Sequence, residues 1–249
     1  MSTILITGSS SGFGLETARY FLDRDWTVLS TMRTPNTDLL PQSERLRILA
    51  LDVTDAASIA RTLEKAGPID ALVNNAGAGM MAALEGISIQ AARQLFELNT
   101  FGTMAMTQAV LPGFRKQGSG VIVNLSSAVT LKPLPMLSTY TASKAAVEAF
   151  SEDLALELEQ FGIRVRLVLP GRSPETAFSA SARARSLDGI PEAYAAWAKQ
   201  VFSAAPQQPS EVTTANDVAK AVWQAVTDAN SPFRIPAGAD AVTLATRAA

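Results

Sequence analysis

Thr3-Ile4-Leu5-Ile6-Thr7-Gly8-Ser9-Ser10-Ser11-Gly12-Phe13-Gly14-Leu15 is the stretch on which the fold turns. The run from Thr3 to Thr7 is apolar or β-branched, too short for a helix and closed by a turn signal, so it reads as a buried strand. Gly8, Gly12 and Gly14 follow at once, and Leu15 to Leu22 is helix-compatible. A strand that feeds a glycine turn and then a helix presents backbone N–H groups at a helix N-terminus, where the dipole favours negative charge. Gly8, Ser10, Ser11, Gly12, Phe13 and Gly14 are therefore expected to cradle a phosphate group, with the hydroxyls of Ser9 to Ser11 as further donors. Elsewhere in a chain the same string would be an ordinary flexible turn.

Working outward, short aliphatic runs alternate with longer helical stretches along the whole chain. The strand candidates are Thr3 to Thr7, Thr27 to Met32, Arg47 to Leu51, Ala71 to Asn74, Val121 to Leu125, Val165 to Leu169 and a weaker Phe233 to Ile235. Helices are expected to begin near Gly14, Ala56, Ser88, Thr103, Tyr140 and Asn216, with Asp55 and Ser88 as N-caps and Thr141 to Glu159 the longest stretch. This pattern predicts an α/β fold: a doubly wound parallel sheet of about seven strands with helices on both faces. No repeat or charge block divides the chain, so residues 1–249 are read as a single domain. Residues 172–210, rich in Ala, Ser, Pro and Gln, break the rhythm and are expected to form a lid over a substrate.

Composition narrows the chemistry. The chain has 249 residues, 47% of them hydrophobic, and a formal net charge of −2. It can bury a sizeable core, and it has no overall basic field to hold nucleic acid. No apolar run reaches membrane-spanning length, and the first residues lead into the Gly/Ser loop in place of a secretory h-region. The expectation is a cytoplasmic protein with no membrane partner. With no cysteine and no histidine, disulfides, thiolate and imidazole catalysis and the usual nitrogen or sulfur zinc sites are excluded. Acid–base work falls to Tyr, Lys, Ser, Asp or Glu, and redox chemistry would need a bound cofactor.

Thr7 to Gly14, Asn74-Asn75-Ala76-Gly77, Ser127 and Tyr140-x-x-x-Lys144 occur in order, each at a predicted strand end or on the helix after it. Together they resemble the short-chain dehydrogenase/reductase family in its compact single-domain branch, over nearly the whole chain. The glycine spacing Gly-x-x-x-Gly-x-Gly, distinct from the Gly-x-Gly-x-x-Gly of the general dinucleotide fingerprint, points the same way. The resemblance implies a Rossmann-type sheet and an enzyme that passes a hydride between a nicotinamide nucleotide and a ketone or secondary alcohol. By the same resemblance Asp52 and Val53 contact the adenine, although Asp52 is equally a candidate turn cap. Asn75, Ala76 and Gly77 would line the adenine-ribose side or simply form a strand-end Asx turn. Pro170, Gly171 and Thr176 would lie by the nicotinamide carboxamide. Pro-Gly-Arg-Ser-Pro-Glu-Thr is one residue longer here than the family pattern, which puts the Thr176 contact in doubt.

Tyr140 and Lys144 are four residues apart and share one helix face. A phenol titrates near pH 10, and a neighbouring ammonium favours its anion, so Lys144 is expected to lower the Tyr140 pKa. In the family pattern the lysine also bonds the nicotinamide ribose, and Ser127 steadies the substrate oxygen, with Ser126 as a rival. Alternation along a strand sends neighbours to opposite faces and favours Ser127. Asn99 matches a fourth family position that anchors a water relay to the lysine, against the plain reading of an Asn bonding locally within a helix.

Ser30-Thr31-Met32-Arg33 has no carboxylate closing the second strand, and an Arg there accommodates a 2′-phosphate, with Ser11 as a possible further donor. The expectation is NADP(H) in preference to NAD(H), as in family members of the steroid and retinol dehydrogenase and carbonyl reductase type. Met80, Met81, Val129, Leu134, Phe178, Tyr194 and Trp197 are candidates for an apolar pocket wall, favouring a hydrophobic small-molecule carbonyl or alcohol. Arg172, Arg183 and Arg185 leave an anionic substrate open. The family also suggests a homodimer or homotetramer. Rival readings are an NADP-binding redox sensor without turnover, and a dehydratase or epimerase of the extended branch.

Overall fold

The computed structural model describes residues 2–174, 190–203 and 212–248. Among them, seven strands form one sheet: β1 (Thr3–Ile6), β2 (Thr27–Met32), β3 (Leu46–Ala50), β4 (Ala71–Asn74), β5 (Gly120–Leu125), β6 (Ile163–Pro170) and β7 (Arg234–Ala237). Their order is β3-β2-β1-β4-β5-β6-β7, and every pairing is parallel. Parallel neighbours need crossovers, which helices supply. These are α1 (Gly12–Leu22), α2 (Ala56–Ala66), α3 (Ile89–Phe96), α4 (Gly102–Gln117), α5 (Ser138–Glu159), α6 (Glu192–Ser203), α7 (Ala215–Thr227) and α8 (Ala239–Ala248). This is the doubly wound, Rossmann-type sheet. Its winding reverses between β1 and β4, and the crevice outside the strands' carboxyl ends at that point is where such sheets bind ligands.

Alternation along β1 explains the two layers. Ile4 and Ile6 pack with Ala18, Phe21 and Leu22 of α1 and Val218 and Val222 of α7. Leu5 turns the other way with Leu29, Leu72 and Ile122, against Met106 and Phe114 of α4 and Leu154 and Leu158 of α5. Both faces are buried, so the strands read as nearly continuous apolar runs. Each such side chain contributes about 1.5–3 kcal/mol by leaving water.

Several boundaries differ from expectation. β1 stops at Ile6, one residue short of expectation; Thr7 N still donates to Val73 O at 3.0 Å, and the Thr7 hydroxyl accepts from Asn75 N in the turn after β4 at 3.0 Å. α5 begins at Ser138, so Tyr140 lies within its first turn. Asp55 and Ser88 do cap α2 and α3, accepting from Ala57 N at 2.9 Å and Ala91 N at 3.1 Å. α3 and α4 are joined by a π-helical turn, Glu97–Phe101, where separate helices were expected. Within residues 172–210, α6 was not foreseen; Ala198 is buried with Met81, Ala83, Met136, Ile190 and Tyr194 around it. The C-terminal α8 was also missed. No described helix is long and apolar enough to cross a membrane.

Candidate active site

The glycine turn is shaped by backbone demands that side chains could not meet. Gly8 has φ +69°, and a Cβ on it would sit 2.8 Å from Ala76 Cα. Gly14 is approached by Gly8 O and by the Asn75 amide, leaving no room for a side chain. Ser11 stands at the N-cap of α1 in extended conformation, and its side chain makes no capping hydrogen bond. The helix's leading N–H groups are thus left to an anion, as a pyrophosphate requires. Ser10 and Ser11 are exposed there, whereas Ser9 is fully buried. The Ser9 hydroxyl donates to Ile6 O at 2.9 Å and accepts from Thr31 N at 3.2 Å. The expectation that Ser9 offers a donor to phosphate is corrected: it seams β1 to β2.

The turn opens onto a cleft of about 310 Å³. Gly8, Ser10, Ser11, Gly12 and Phe13 line one end, Arg33, Asp52 and Val53 a side, and Asn75, Ala76 and Gly77 the floor. Ser127, Tyr140, Lys144, Pro170 and Gly171 line the other end. The fold therefore gathers these distant segments in one place. Ser126, the rival to Ser127, also lines it, and so do Met32, Leu51, Ala78, Leu98, Leu125 and Ser173, which were not singled out; each lies within a few residues of a motif residue, which was the available signal.

At the far end, Tyr140 and Lys144 are both 5% exposed. Burial pushes the Tyr140 phenol up to about 12, while a hydrogen bond with the Ser127 hydroxyl pulls the other way. Burial also pushes Lys144 down to about 8, opposed by the nearby Glu148 carboxylate. Lys144 Nζ donates to Leu125 O at 2.9 Å. The expectation that Lys144 lowers the Tyr140 pKa is not met: desolvation of the phenol outweighs every other influence, and the acidifying contact is Ser127. At neutral pH this phenol is a proton donor. Ser127 and Ser126 part company, as alternation suggests. Ser127 meets Tyr140, while Ser126 Oγ donates to Glu148 at 2.5 Å.

The asparagines are the scaffold beneath. Asn99 is fully buried within the π-helical turn. Its Oδ1 accepts from Ala78 N at 2.8 Å, and its Nδ2 donates to Ala78 O at 2.9 Å and Ser143 Oγ at 3.1 Å. A widened turn aims an amide inward, a frequent use of π-helical geometry. Asn75 Nδ2 donates to Thr7 O and Gly8 O at 2.8 and 2.9 Å, tying the glycine turn to the end of β4. Asn74 joins β5 through Asn124 at 2.9 Å.

Asp52 Oδ1 accepts from Thr54 N at 2.9 Å and Thr54 Oγ1 at 2.7 Å. Those bonds hold its pKa below the usual carboxylate range, with Arg33 a smaller contributor. Asp52 is thus a turn-former that also faces the cleft, one residue beyond the end predicted for its strand and two beyond the observed end of β3. Arg33 is exposed just after β2.

The expected pocket wall divides. Met80 is buried in a cluster with Tyr140, and Val129 packs against it. Leu134 and Trp197 are 41% and 45% exposed, and none of Met80, Val129, Leu134 and Trp197 is among the residues that line the cleft. Trp197 instead meets Tyr194 with ring centroids 6.5 Å apart. Thr176, Phe178, Arg183 and Arg185 lie outside the described residues. Among the described residues, no group of three or more His, Cys, Asp or Glu is arranged to hold a metal ion.

Comparison with known proteins agrees with this geometry. Residues 2–186 match the short chain dehydrogenase family model. The chain is 37% identical to an uncharacterized oxidoreductase, YusZ, of Bacillus subtilis, over 90% of this chain and 84% of that one. It is 35% identical to 3-ketodihydrosphingosine reductase of Bacteroides thetaiotaomicron (94% and 87%) and 34% identical to retinol dehydrogenase 8 of Bos taurus (93% and 80%). Among solved structures, a short-chain dehydrogenase from Streptomyces avermitilis superposes with TM-score 0.82 at 34% identity, covering 99% of this chain and 92% of that one. A Burkholderia cenocepacia member in complex with NADP gives 0.77 at 27% (98% and 91%). A Burkholderia phymatum member in complex with NAD gives 0.81 at 23% (99% and 92%) and speaks to the fold alone. With its doubly wound sheet and one cleft joining glycine turn to buried tyrosine, the chain belongs to the short-chain dehydrogenase family, as an oxidoreductase for a nicotinamide nucleotide.

Proposed function

We propose that this chain reduces a hydrophobic ketone to a secondary alcohol with NADPH. The observation that carries the proposal is the buried phenol of Tyr140, raised to about 12, beside Ser127 and one helical turn before Lys144. A neutral phenol in that position gives its proton to a carbonyl oxygen as negative charge develops. Ser127 holds that oxygen, in line with its hydrogen bond to the phenol. Lys144, with the ammonium drawn to Leu125 O, orients the nicotinamide ribose and replaces the proton that Tyr140 gives up.

The nucleotide, when bound, supplies the hydride. Gly8, Ser10, Ser11, Gly12, Phe13 and Gly14 would hold its pyrophosphate, Asp52 and Val53 the adenine, Asn75 to Gly77 the adjoining ribose, and Pro170 and Gly171 the carboxamide. Arg33, exposed beside the cleft with no carboxylate at the end of β2, supports preference for a 2′-phosphate. Asn99 serves Ala78 and Ser143 with its side chain, so a relay role for it rests on family resemblance. Met80 and Val129, packed with Tyr140, support an apolar substrate. The relatives named for ketosphingosine and retinol chemistry are consistent with a lipophilic carbonyl.

The test follows nicotinamide absorbance with NADPH and, separately, NADH against aromatic, aliphatic and steroid ketones, with Tyr140→Phe in parallel. NADPH consumption with at least one ketone is expected, and the Phe variant should lose about 10²–10⁴-fold in rate. Binding of NADPH without any turnover would favour a nucleotide sensor and overturn the proposal.

A further inference from the structure

Two turns beyond Tyr140, and one beyond Lys144, α5 carries Glu148 on the same face. Its side chain is 12% exposed. One carboxylate oxygen, Oε1, accepts from Ser126 Oγ at 2.5 Å and from Thr130 Oγ1 at 2.7 Å. These two hydroxyls flank Ser127, from the residue before it and from three after. The single Thr130 hydroxyl hydrogen is shared between Glu148 Oε1 and Ser127 O, each 2.7 Å away, and the Thr130 N–H donates to Ser127 O at 3.2 Å. Ser127 Oγ accepts a long bond of 3.4 Å from Val129 N, besides its contact with Tyr140. Ser127 stands at the N-cap of a short 3-10 turn, Ala128–Thr130, and the Glu148 carboxylate ties the residues on either side of it to α5. The two short bonds to a carboxylate are of the charge-assisted class, roughly twice as strong as neutral ones. On the far side, Arg234 of β7 lies 3.8 Å from Glu148 Oε2 and also pairs with Glu152, which steadies the carboxylate.

We propose that Glu148 is a positioning residue: its carboxylate clamps the Ser126-to-Thr130 turn onto α5 and so fixes Ser127 against Tyr140. The inference rests on the proposed carbonyl chemistry for its catalytic consequence, while the clamp itself can be read without turnover.

Three proteins are compared with the wild type: Glu148→Ala, which removes the acceptor; Glu148→Gln, which keeps an amide oxygen for both hydroxyls; and Ser126→Ala/Thr130→Val, which removes the donors. For each, kcat and KM for the NADPH-dependent reduction are measured together with amide hydrogen exchange over residues 126–131. Glu148→Ala should lower kcat by about 10- to 100-fold, the loss typical of a reacting group displaced by about 1 Å. Its KM for NADPH should change less than about twofold, because the glycine turn is remote, and exchange in the turn should quicken. Glu148→Gln should restore kcat to within about threefold and exchange to the wild-type rate, as an acceptor in place of the carboxylate predicts. The double variant should reproduce the Ala variant, and it decides the matter if Glu148→Ala does not fold. Unchanged exchange, or faster exchange with wild-type kcat, or equal losses in Gln and Ala variants, would overturn the clamp as a positioning device. Absence of turnover in the wild type would remove the carbonyl reading instead, and the exchange measurement would still judge the clamp.

Discussion

Tyr140 and Lys144 show how burial sets the protonation of two neighbours in opposite senses. The phenol is raised to about 12 and the ammonium lowered to about 8, each mainly by loss of water. The signs give a stability prediction. Between pH 8 and 10 the unfolded chain keeps the Lys144 proton while the folded chain gives it up, so stability rises with pH. Above pH 10 the unfolded Tyr140 ionises while the folded phenol does not, so that contribution falls. Urea unfolding of the wild type from pH 7.5 to 9.5, compared with Lys144→Met, should show the upward slope only in the wild type. For the proposed reduction, the same ammonium should give an alkaline decline near pH 8 in a profile of kcat/KM, which reports groups of the free enzyme. At this scale the sequence was informative about identity and spacing: the four-residue separation already put both side chains on one face. It could not give the pKa direction, because a lysine next to a tyrosine suggests acidification until the degree of burial is known.

Among the elements, β6 and the Pro170-Gly171 turn are held by residues far along the chain. Thr213 Oγ1 accepts from Gly171 N at 2.9 Å, and its one hydrogen is shared between Ala237 O and Asp240 Oδ1, 2.7 and 2.8 Å away. Asp240, at the start of α8, accepts from Arg172 N at 2.6 Å. A Cβ on Gly171 would overlap the Asp240 carboxylate. Gly171→Ala must therefore move either the turn or α8, and the nucleotide KM should rise about tenfold or more, with a smaller change in kcat at saturation. Steady-state kinetics at varied nucleotide checks this. Gly171 was legible as a motif residue, but Thr213 and Asp240 carried no local signal, being 42 and 69 residues away in a stretch with no motif. Glu148 was not singled out either, although its eight-residue spacing from Tyr140 was a signal that puts both on one helix face; its partners came from the structure. The π-helical turn around Asn99 was likewise invisible, since one extra residue per turn barely disturbs an apolar pattern.

For the molecule as a whole, the cleft draws on the glycine turn, β2, β4, β5, α5 and β6, so a ligand bound there stabilises the folded sheet over the unfolded chain. NADPH at about 100 times its Kd should add about 2.7 kcal/mol, or roughly 5–10 °C in Tm for a chain of this size. NADH at the same concentration should add less, and Arg33→Asp should reverse the order. Thermal melts with each nucleotide measure both. Equal shifts in the wild type would remove the argued role of Arg33 in cofactor choice.

The alternation of apolar runs and helical stretches was enough to determine the parallel sheet, because strands buried on both faces and helices of longer period leave different marks in a sequence. The order and spacing of the glycine turn, Asn75, Ser127, Tyr140 and Lys144 were likewise readable, since each is tied to a strand end or one helix face. Tertiary structure alone decided the rest: Ser9 turned into the sheet, Asn99 bonded to Ala78 and Ser143, and Glu148 bonded to the turn around Ser127. Those outcomes depend on contacts between residues distant in sequence and on how much water each group loses, and neither is encoded in local spacing.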